Sequence, residues 1–247
     1  RPNLSLAVQQ KTNNWKAQLL EFLENRKNQP GIVYCLSQKL TEQCSEFLRS
    51  EGFNAYPFHA GLDAEIKIDT QDKFMTEDNV VVCATIAFGM GIDKADVRYI
   101  AHISLPSSME AFYQEIGRAG RDGLEADTLL IFGLQDLFQR KRFIDMSDAH
   151  DSFKIKEHKR LDALIAYCDS ATCRRQTLLS YFKETCEPCG KCDNCLNPPQ
   201  MIDGTEYAQM VLSAIYRTGQ YFGSGHIVDV LRGVDSDKVK TKGHDKI

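Results

Sequence analysis

Pro30–Gly52, PGIVYCLSQKLTEQCSEFLRSEG, joins two patterns end to end. Its first part is a short apolar run behind Pro-Gly, the pattern of a strand buried on both faces. Its second part spaces apolar residues for a helix and ends on Gly52, a residue type that closes helices. A strand passing directly into a helix is half of a parallel crossover unit, so its neighbours should repeat the pattern. Upstream, WKAQLLEFLENRK (15–27) has helical spacing at Leu19, Leu20 and Leu23, with Asn13 and Asn14 as candidate caps. Downstream, NAYPFHAGL (54–62) reads as strand and loop, AEIKIDTQDKFM (64–75) as helix, and NVVVCAT (79–85) and RYIAHISLP (98–106) as strands. SSMEAFYQEIG (107–117) reads as a helix capped by Ser107 or Ser108, and DTLLIFG (127–133) as the last strand. This alternation predicts an α/β fold, a parallel sheet with right-handed crossovers and helices on both faces.

After Gly133 the alternation stops. LQDLFQRKRFIDM (134–146) and SFKIKEHKRLDALIAYC (152–168) read as successive helices, followed by a cysteine-rich stretch and the loop NPPQMIDG (197–204). EYAQMVLSAIYRTG (206–219) and GSGHIVDVLRG (223–233) form a short-helix arrangement compatible with helix-turn-helix. No internal repeat and no low-complexity tract interrupts the order.

The 247 residues suffice for one large domain or two ordinary ones, and 43% hydrophobic content fits a globular chain. No apolar stretch approaches the ~20 residues a membrane helix needs, and no signal-like N-terminus is present, so an intracellular protein without a membrane partner is expected, of cytoplasm or nucleoid if bacterial. A net charge of −4 argues against a surface coated for nucleic acid but leaves room for a local basic groove, because clefts focus potential. The chain opens on RPNLSLAVQQ and stops within a charged run, which suggests a piece of a larger protein.

The nine cysteines divide sharply. Cys35, Cys44 and Cys83 lie in apolar or helical contexts and read as small buried hydrophobes. Cys168, Cys173, Cys186, Cys189, Cys192 and Cys195 crowd together, and without a secretory context such a cluster reads as a metal site first. Cys189, Cys192 and Cys195 form C-x2-C-x2-C, whose spacing lets one turn present several thiolates to a tetrahedral ion, and Gly190 permits the bend. Cys173 is the preferred fourth ligand over Cys168 and Cys186, since Cys186 is nearly adjacent to the triplet and cross-links little. Four thiolates make a closed, structural zinc site; an iron–sulfur cluster and disulfides are its rivals.

Three loops are expected beyond the C-terminal ends of the strands, where such sheets bind ligands: HAGL (59–62), ATIAFGMGIDKADVR (84–98) and GRAGRDG (117–123). Thr85 can donate to a phosphate, Gly89 and Gly91 let amides approach an anion, and Asp93 can accept from a ribose hydroxyl or orient Arg121. Each has a plain alternative: His59 as a turn histidine, Arg118 and Arg121 as a solvated i, i+3 pair. In this order, however, the segments resemble the second RecA-like motor domain of superfamily-two helicases, where Gln114, Gly117, Arg118, Gly120 and Arg121 match Q-x-x-G-R-x-G-R letter for letter. FGMGIDKADVR, the RAGRDG ending and the C-x2-C-x2-C cluster narrow the resemblance to the RecQ family of DNA helicases, bacterial type.

The resemblance covers essentially the whole chain. It implies a RecA-like domain over residues 1–148, a helical zinc-binding subdomain over 149–199 and the start of a winged-helix domain over 200–247. Arg121 would be an arginine finger meeting the γ-phosphate of ATP, with Arg118 supporting it; a planar guanidinium suits the charge that phosphoryl transfer spreads over the equatorial oxygens. Gln114, Asp93 and Gly117 would lie on the nucleotide side. Ser37, His59, Gly61 and Thr85 would touch the backbone of a single DNA strand, giving translocation without sequence preference. Neither G-x-x-x-x-G-K-[ST] nor D-E-x-H occurs, so ATP and Mg2+ would be held mainly by a first RecA-like domain of the same parent protein. The implied activity is 3′–5′ helicase action on single strand and duplex junction, with the 247 residues inactive alone. A non-enzymatic, zinc-stapled nucleic-acid-binding module is the alternative, and half of an RNA helicase a third reading.

Overall fold

The computed structural model describes residues 1–86, 88 and 92–246. They fall into two compact units, Arg1–Pro198 and Pro199–Ile247. The first is built on β1 (Leu4–Gln10), β2 (Gly31–Tyr34), β3 (Asn54–Phe58), β4 (Val80–Ala84), β5 (Tyr99–His102) and β6 (Ala126–Phe132). The order across the sheet is β1-β6-β5-β2-β4-β3, with every neighbouring pair parallel.

Strands β2, β4 and β5 are buried at every position, which explains their unbroken apolar sequence. Successive side chains point to opposite faces, so each strand feeds two cores. Ile32, Val80, Val82, Ile100 and Leu130 join one; Val33, Val81, Cys83, Ala101 and Leu129 join the other. On the second face lie α1 (Trp15–Leu23) and α2 (Gln38–Ser50), through Leu19, Leu23, Cys44 and Leu48. On the first lie α3 (Ala64–Thr76), α4 (Met109–Ile116) and α6 (Asp151–Asp169), through Phe74, Phe112, Leu164 and Tyr167. Gly31 is fixed by this packing, because a Cβ there would sit 2.0 Å from the buried Tyr99 ring.

Asn14, not Asn13, caps α1, its Oδ1 accepting from the Ala17 amide at 3.3 Å. Ser108, not Ser107, caps α4, accepting from Ala111 at 3.2 Å. RPNLSLAVQQ, left without an element by its sequence, supplies the edge strand β1, paired with β6 along its whole length. Its Leu4 and Leu6 are buried while its last residues are exposed, so the apolar signal is half the strength of a central strand.

Beyond β6, α5 (Leu134–Asp145), α6 and α7 (Arg174–Tyr181) follow, then α8 (Asp193–Leu196) inside the cysteine cluster. They remain attached to the sheet: Arg175 donates to the Leu4 carbonyl at 2.6 Å, and the Val8 amide to Asp193 at 2.9 Å. The second unit holds α9 (Thr205–Arg217), α10 (Ser224–Leu231) and α11 (Asp237–Thr241), closed over Ala214, Ile227 and Val239. No described helix is long and apolar enough to cross a membrane.

Candidate functional site

The candidate residues lie at opposite ends of the sheet. Ser37, His59 with Gly61, and Thr85 follow the C-terminal ends of β2, β3 and β4, which are adjacent in the sheet. The GRAGRDG turn lies at the other end, contrary to the sequence expectation: its Gly120 amide donates to Val97 at 2.9 Å and its Asp122 amide to Ala95 at 3.2 Å, both ahead of β5. The physical reason is that α4 runs back across the sheet from the end of β5, so whatever follows it stands where β6 begins. Thr85 follows β4 at one end, and Tyr99 begins β5 at the other.

At the C-terminal edge, the exposed Ser37 hydroxyl caps α2, accepting from the Leu40 amide at 3.2 Å. The Thr85 amide donates to Phe58 at 3.2 Å, tying the loop ends after β3 and β4 together. Gly61 is exposed, and a Cβ there would press on the Gln38 amide at 2.6 Å. His59 is different: its ring is only 3% exposed and its Nε2 lies 3.3 Å from Glu42, so it shapes the loop and presents little surface. Gly89 and Gly91 lie outside the described residues.

At the other edge, α4 ends at Gly117 and the chain turns through Gly120 at φ +58°. The Asn3 amide group donates to Gly120 at 2.8 Å and Leu124 at 2.7 Å, clamping the turn. Arg121 donates to Asp93, a direct ion pair, and more weakly to the Ile92 carbonyl. Arg118 contacts the hydroxyl of Tyr34, whose pKa is pushed well above the ordinary tyrosine range chiefly by burial. Arg118, Arg121, Gln114 and Gly117 line a cavity of about 390 Å³, together with Arg1 and Arg175. Leu4, Leu6, Ile116, Leu178 and Leu179 complete the lining, and Arg1 and Arg175 donate to backbone carbonyls of Ala119 and Leu4.

Sequence reasoning missed a buried cluster between the end of α4 and the last residues of β5 and β2. Glu115, beside Gln114, is buried and pairs with His102 at 2.8 Å; the His102 ring in turn stacks on Tyr34 with centroids 5.0 Å apart. A glutamate on the apolar face of α4 was the available signal.

The Sγ atoms of Cys173, Cys189, Cys192 and Cys195 lie within 4.8 Å of one another. Tetrahedral zinc with Zn–S bonds near 2.3 Å sets ligand sulfurs roughly 3.8 Å apart, so the cage fits one such ion. Cys173 precedes α7, Cys192 precedes α8, and Gly190 adopts φ +70° between them. The Cys189 amide donates to Cys173 Sγ at 3.2 Å and the Arg174 amide to Cys192 Sγ at 3.4 Å. Burial opposes ionisation of Cys173, but the amides of Cys189 and Gln176 and the neighbouring thiols outweigh it and bring its pKa to about 6. Burial first of all carries Cys192 to about 12. A metal binds cysteine as thiolate, so its entry is coupled to loss of the thiol protons. Cys168 and Cys186 are not members of the cage, and burial pushes Cys168 up to about 12.

Three family models match in succession: helicase conserved C-terminal domain over 15–123, RecQ zinc-binding over 134–196, and RQC domain over 198–247. An ATP-dependent DNA helicase RecQ of Haemophilus influenzae is 41% identical over all of this chain and 40% of its own length. A Bacillus subtilis protein of the same name is 36% identical over 98% of this chain and 41% of its own. Among solved structures, a DEAD box protein from Methanococcus jannaschii aligns at TM-score 0.48 and 24% identity, over 59% of this chain and 41% of that one. The chain thus spans about two fifths of the length of the curated relatives it matches. With a RecQ zinc-binding match over the four-cysteine cage and this identity from end to end, the chain belongs to the RecQ family of helicases.

Proposed function

We propose that this chain is the second motor half, with zinc-bound and RQC parts, of an ATP-dependent DNA helicase moving 3′–5′. One observation carries the reading: Thr85 stands beside the candidate strand contacts, and Asp93, in the same connection between β4 and β5, pairs with Arg121. A change in how Thr85 grips a strand is thereby transmitted to Asp93, and from Asp93 to Arg121.

The residue roles follow from this placement. Arg121 and Arg118 point their charge at the phosphate end of a nucleotide held by a preceding RecA-like domain, with Gln114 and Gly117 flanking them. Bound ATP and Mg2+ supply the phosphoryl chemistry; these arginines supply charge stabilisation and domain closure. Ser37, Gly61 and Thr85 hold the sugar-phosphate backbone of a single strand, His59 supports their loop, and alternation between the two ends of the sheet moves the strand. The divisions at 148 and 199 mark the motor, zinc and RQC parts. Zinc at Cys173, Cys189, Cys192 and Cys195 braces α7 and α8 against β1. The 247 residues alone, with no phosphate cradle in their sequence, bind nucleic acid but do not turn over ATP.

The decisive measurement is made in the longer protein. Arg121→Ala abolishes DNA-stimulated hydrolysis while nucleotide binding survives; equal loss of both contradicts the finger role.

A further inference from the structure

Strands β2 and β5 are neighbours in the sheet, yet the chain leaves them in opposite directions. From β2 it passes to α2 on one face; from β5 it passes to α4 on the other. Such a switch point opens a crevice beyond the carboxyl ends of the strands, the general ligand position of open α/β sheets. Here the crevice extends over the ends of four consecutive strands in the sheet, β1, β6, β5 and β2, and has a volume of about 440 Å³. That falls within the roughly 300–1,000 Å³ of small-ligand pockets.

Its lining favours a neutral, flat, polar group. Lys11 is occupied by Asp136 at 2.9 Å and the Ile103 carbonyl at 2.6 Å, so the charged pair neutralises itself and leaves nothing for a phosphate. The Gln139 amide on α5 is exposed and makes no hydrogen bond among the described residues, offering both a donor and an acceptor. Ser104 is 5% exposed, and its hydroxyl is likewise without a hydrogen bond among the described residues. One wall is Trp15, half-buried, its ring edge-on to Phe47 at 6.4 Å, with the Lys16 ammonium 6.0 Å from its centroid. Ser37, the candidate backbone contact, lines the same crevice.

We propose that this crevice is a nucleobase subsite, in which a base of the single strand stacks on Trp15 and meets Gln139 and Ser104 at its edge. The proposal rests on the reading that a strand crosses this end of the sheet. Stacking on an aromatic face tolerates any base, and Lys16 beside the ring suits the adjoining phosphate.

Trp15 is the single tryptophan of the chain, so its emission reports this crevice alone. The 247-residue chain is titrated with labelled oligothymidylate, following label anisotropy and tryptophan emission together. Emission is expected to be quenched in step with anisotropy, and an abasic oligonucleotide to bind without quenching. Trp15→Ala weakens binding by about 5- to 100-fold, whereas Trp15→Phe, which keeps an aromatic face and the Phe47 contact, holds affinity within a few fold, about threefold or less. Binding by anisotropy with unchanged emission, equal quenching by the abasic strand, or equal loss in both variants overturns the subsite and leaves the motor reading standing. No binding of any oligonucleotide overturns both.

Discussion

Arg121 is held by Asp93, so the last arginine of the Q-x-x-G-R-x-G-R segment takes its direction from the loop that starts at Thr85. The Asp93 side chain is 86% exposed, and an ion pair so open to water contributes little to folding. Its consequence is orientational: the guanidinium is pre-aimed along one wall of the arginine-lined cavity.

Asp93→Asn therefore separates aim from charge. In the longer protein, DNA-stimulated hydrolysis is expected to fall about tenfold, against a loss on the order of 10³ for Arg121→Ala. Folding stability should change by less than about 1 kcal/mol. Steady-state hydrolysis beside urea unfolding reads both, and an Asp93→Asn protein with full activity would remove Asp93 from the path between the two ends of the sheet.

Gly120 is the position where the turn itself is most exposed to a small change. Its φ of +58° disfavours any side chain, and a Cβ would approach the Leu124 carbonyl to 2.8 Å and the Asn3 amide nitrogen to 2.4 Å. Gly120→Ala is expected to cost about 1–3 kcal/mol and to lower hydrolysis although no charged group is lost. Native-like stability by urea unfolding would show that the turn relaxes freely.

The central strands and the helix between Gln38 and Ser50 were legible because their signals are dense: fully apolar runs for β2, β4 and β5, and Gly52 closing α2. β1 was not, since this edge strand buries only two of its seven residues and LSLAVQQ alternates weakly. Three of the four clustered cysteines were legible from the C-x2-C-x2-C spacing, and Cys173 was preferred to Cys168 and Cys186, with cross-linking reach as the ground against Cys186. The position of GRAGRDG at the N-terminal edge was not, because sequence order gives the helix before it but not the distance α4 carries the chain back. Nor were Glu115, His102 and Tyr34, whose buried contacts join residues far apart in sequence.

Arg174, the first residue of α7, is a buried cation that nothing in the sequence marks out. Its side chain is buried, donating to the Tyr167 and Cys168 carbonyls at 2.7 and 2.9 Å and to both oxygens of Asp193 at 3.0 and 3.1 Å. Removing it leaves the end of α6 and the Asp193 carboxylate without their cation. Arg174→Ala is expected to destabilise by about 3–5 kcal/mol, and Arg174→Lys to recover only part, because an ammonium lacks the planar fork. Urea midpoints measure both; a loss under 1 kcal/mol in Arg174→Ala would show water replacing these bonds at little cost.

Alkaline pH should unfold the first unit by a defined route. Burial raises the pKa of Cys35 and Cys83 above the usual 9.0, and of Tyr34 and Tyr99 above the usual 10.0. The folded state keeps these protons where the unfolded chain releases them. Their contribution is complete below pH 9 and is lost as pH rises beyond the unfolded values, each group adding up to roughly 1.4 kcal/mol per pH unit. Urea midpoints measured from pH 7 to 11 should stay level to about 9 and then fall. Cys83→Ala should make the early part of the fall shallower, and an unchanged slope would assign it to other groups.

Metal removal reaches further than the cysteine loop. Asp193, one residue after Cys192, accepts from the Val8 amide at 2.9 Å, and the Ser5 hydroxyl donates to the Lys191 carbonyl at 3.2 Å, so the cage is bonded directly to β1. Structural zinc supplies on the order of 10 kcal/mol of folding free energy in small domains. Elemental analysis should give one zinc per chain, and Cys173→Ser should lose it while Cys168→Ser and Cys186→Ser keep it. Chelation should then raise amide exchange in α7, α8 and β1 before it does in β2, β4 and β5, whose partners lie on both sides within the sheet. Protection of β1 that survives chelation would show the edge strand to be held by β6 alone; metal retained in Cys173→Ser would move the fourth ligand elsewhere.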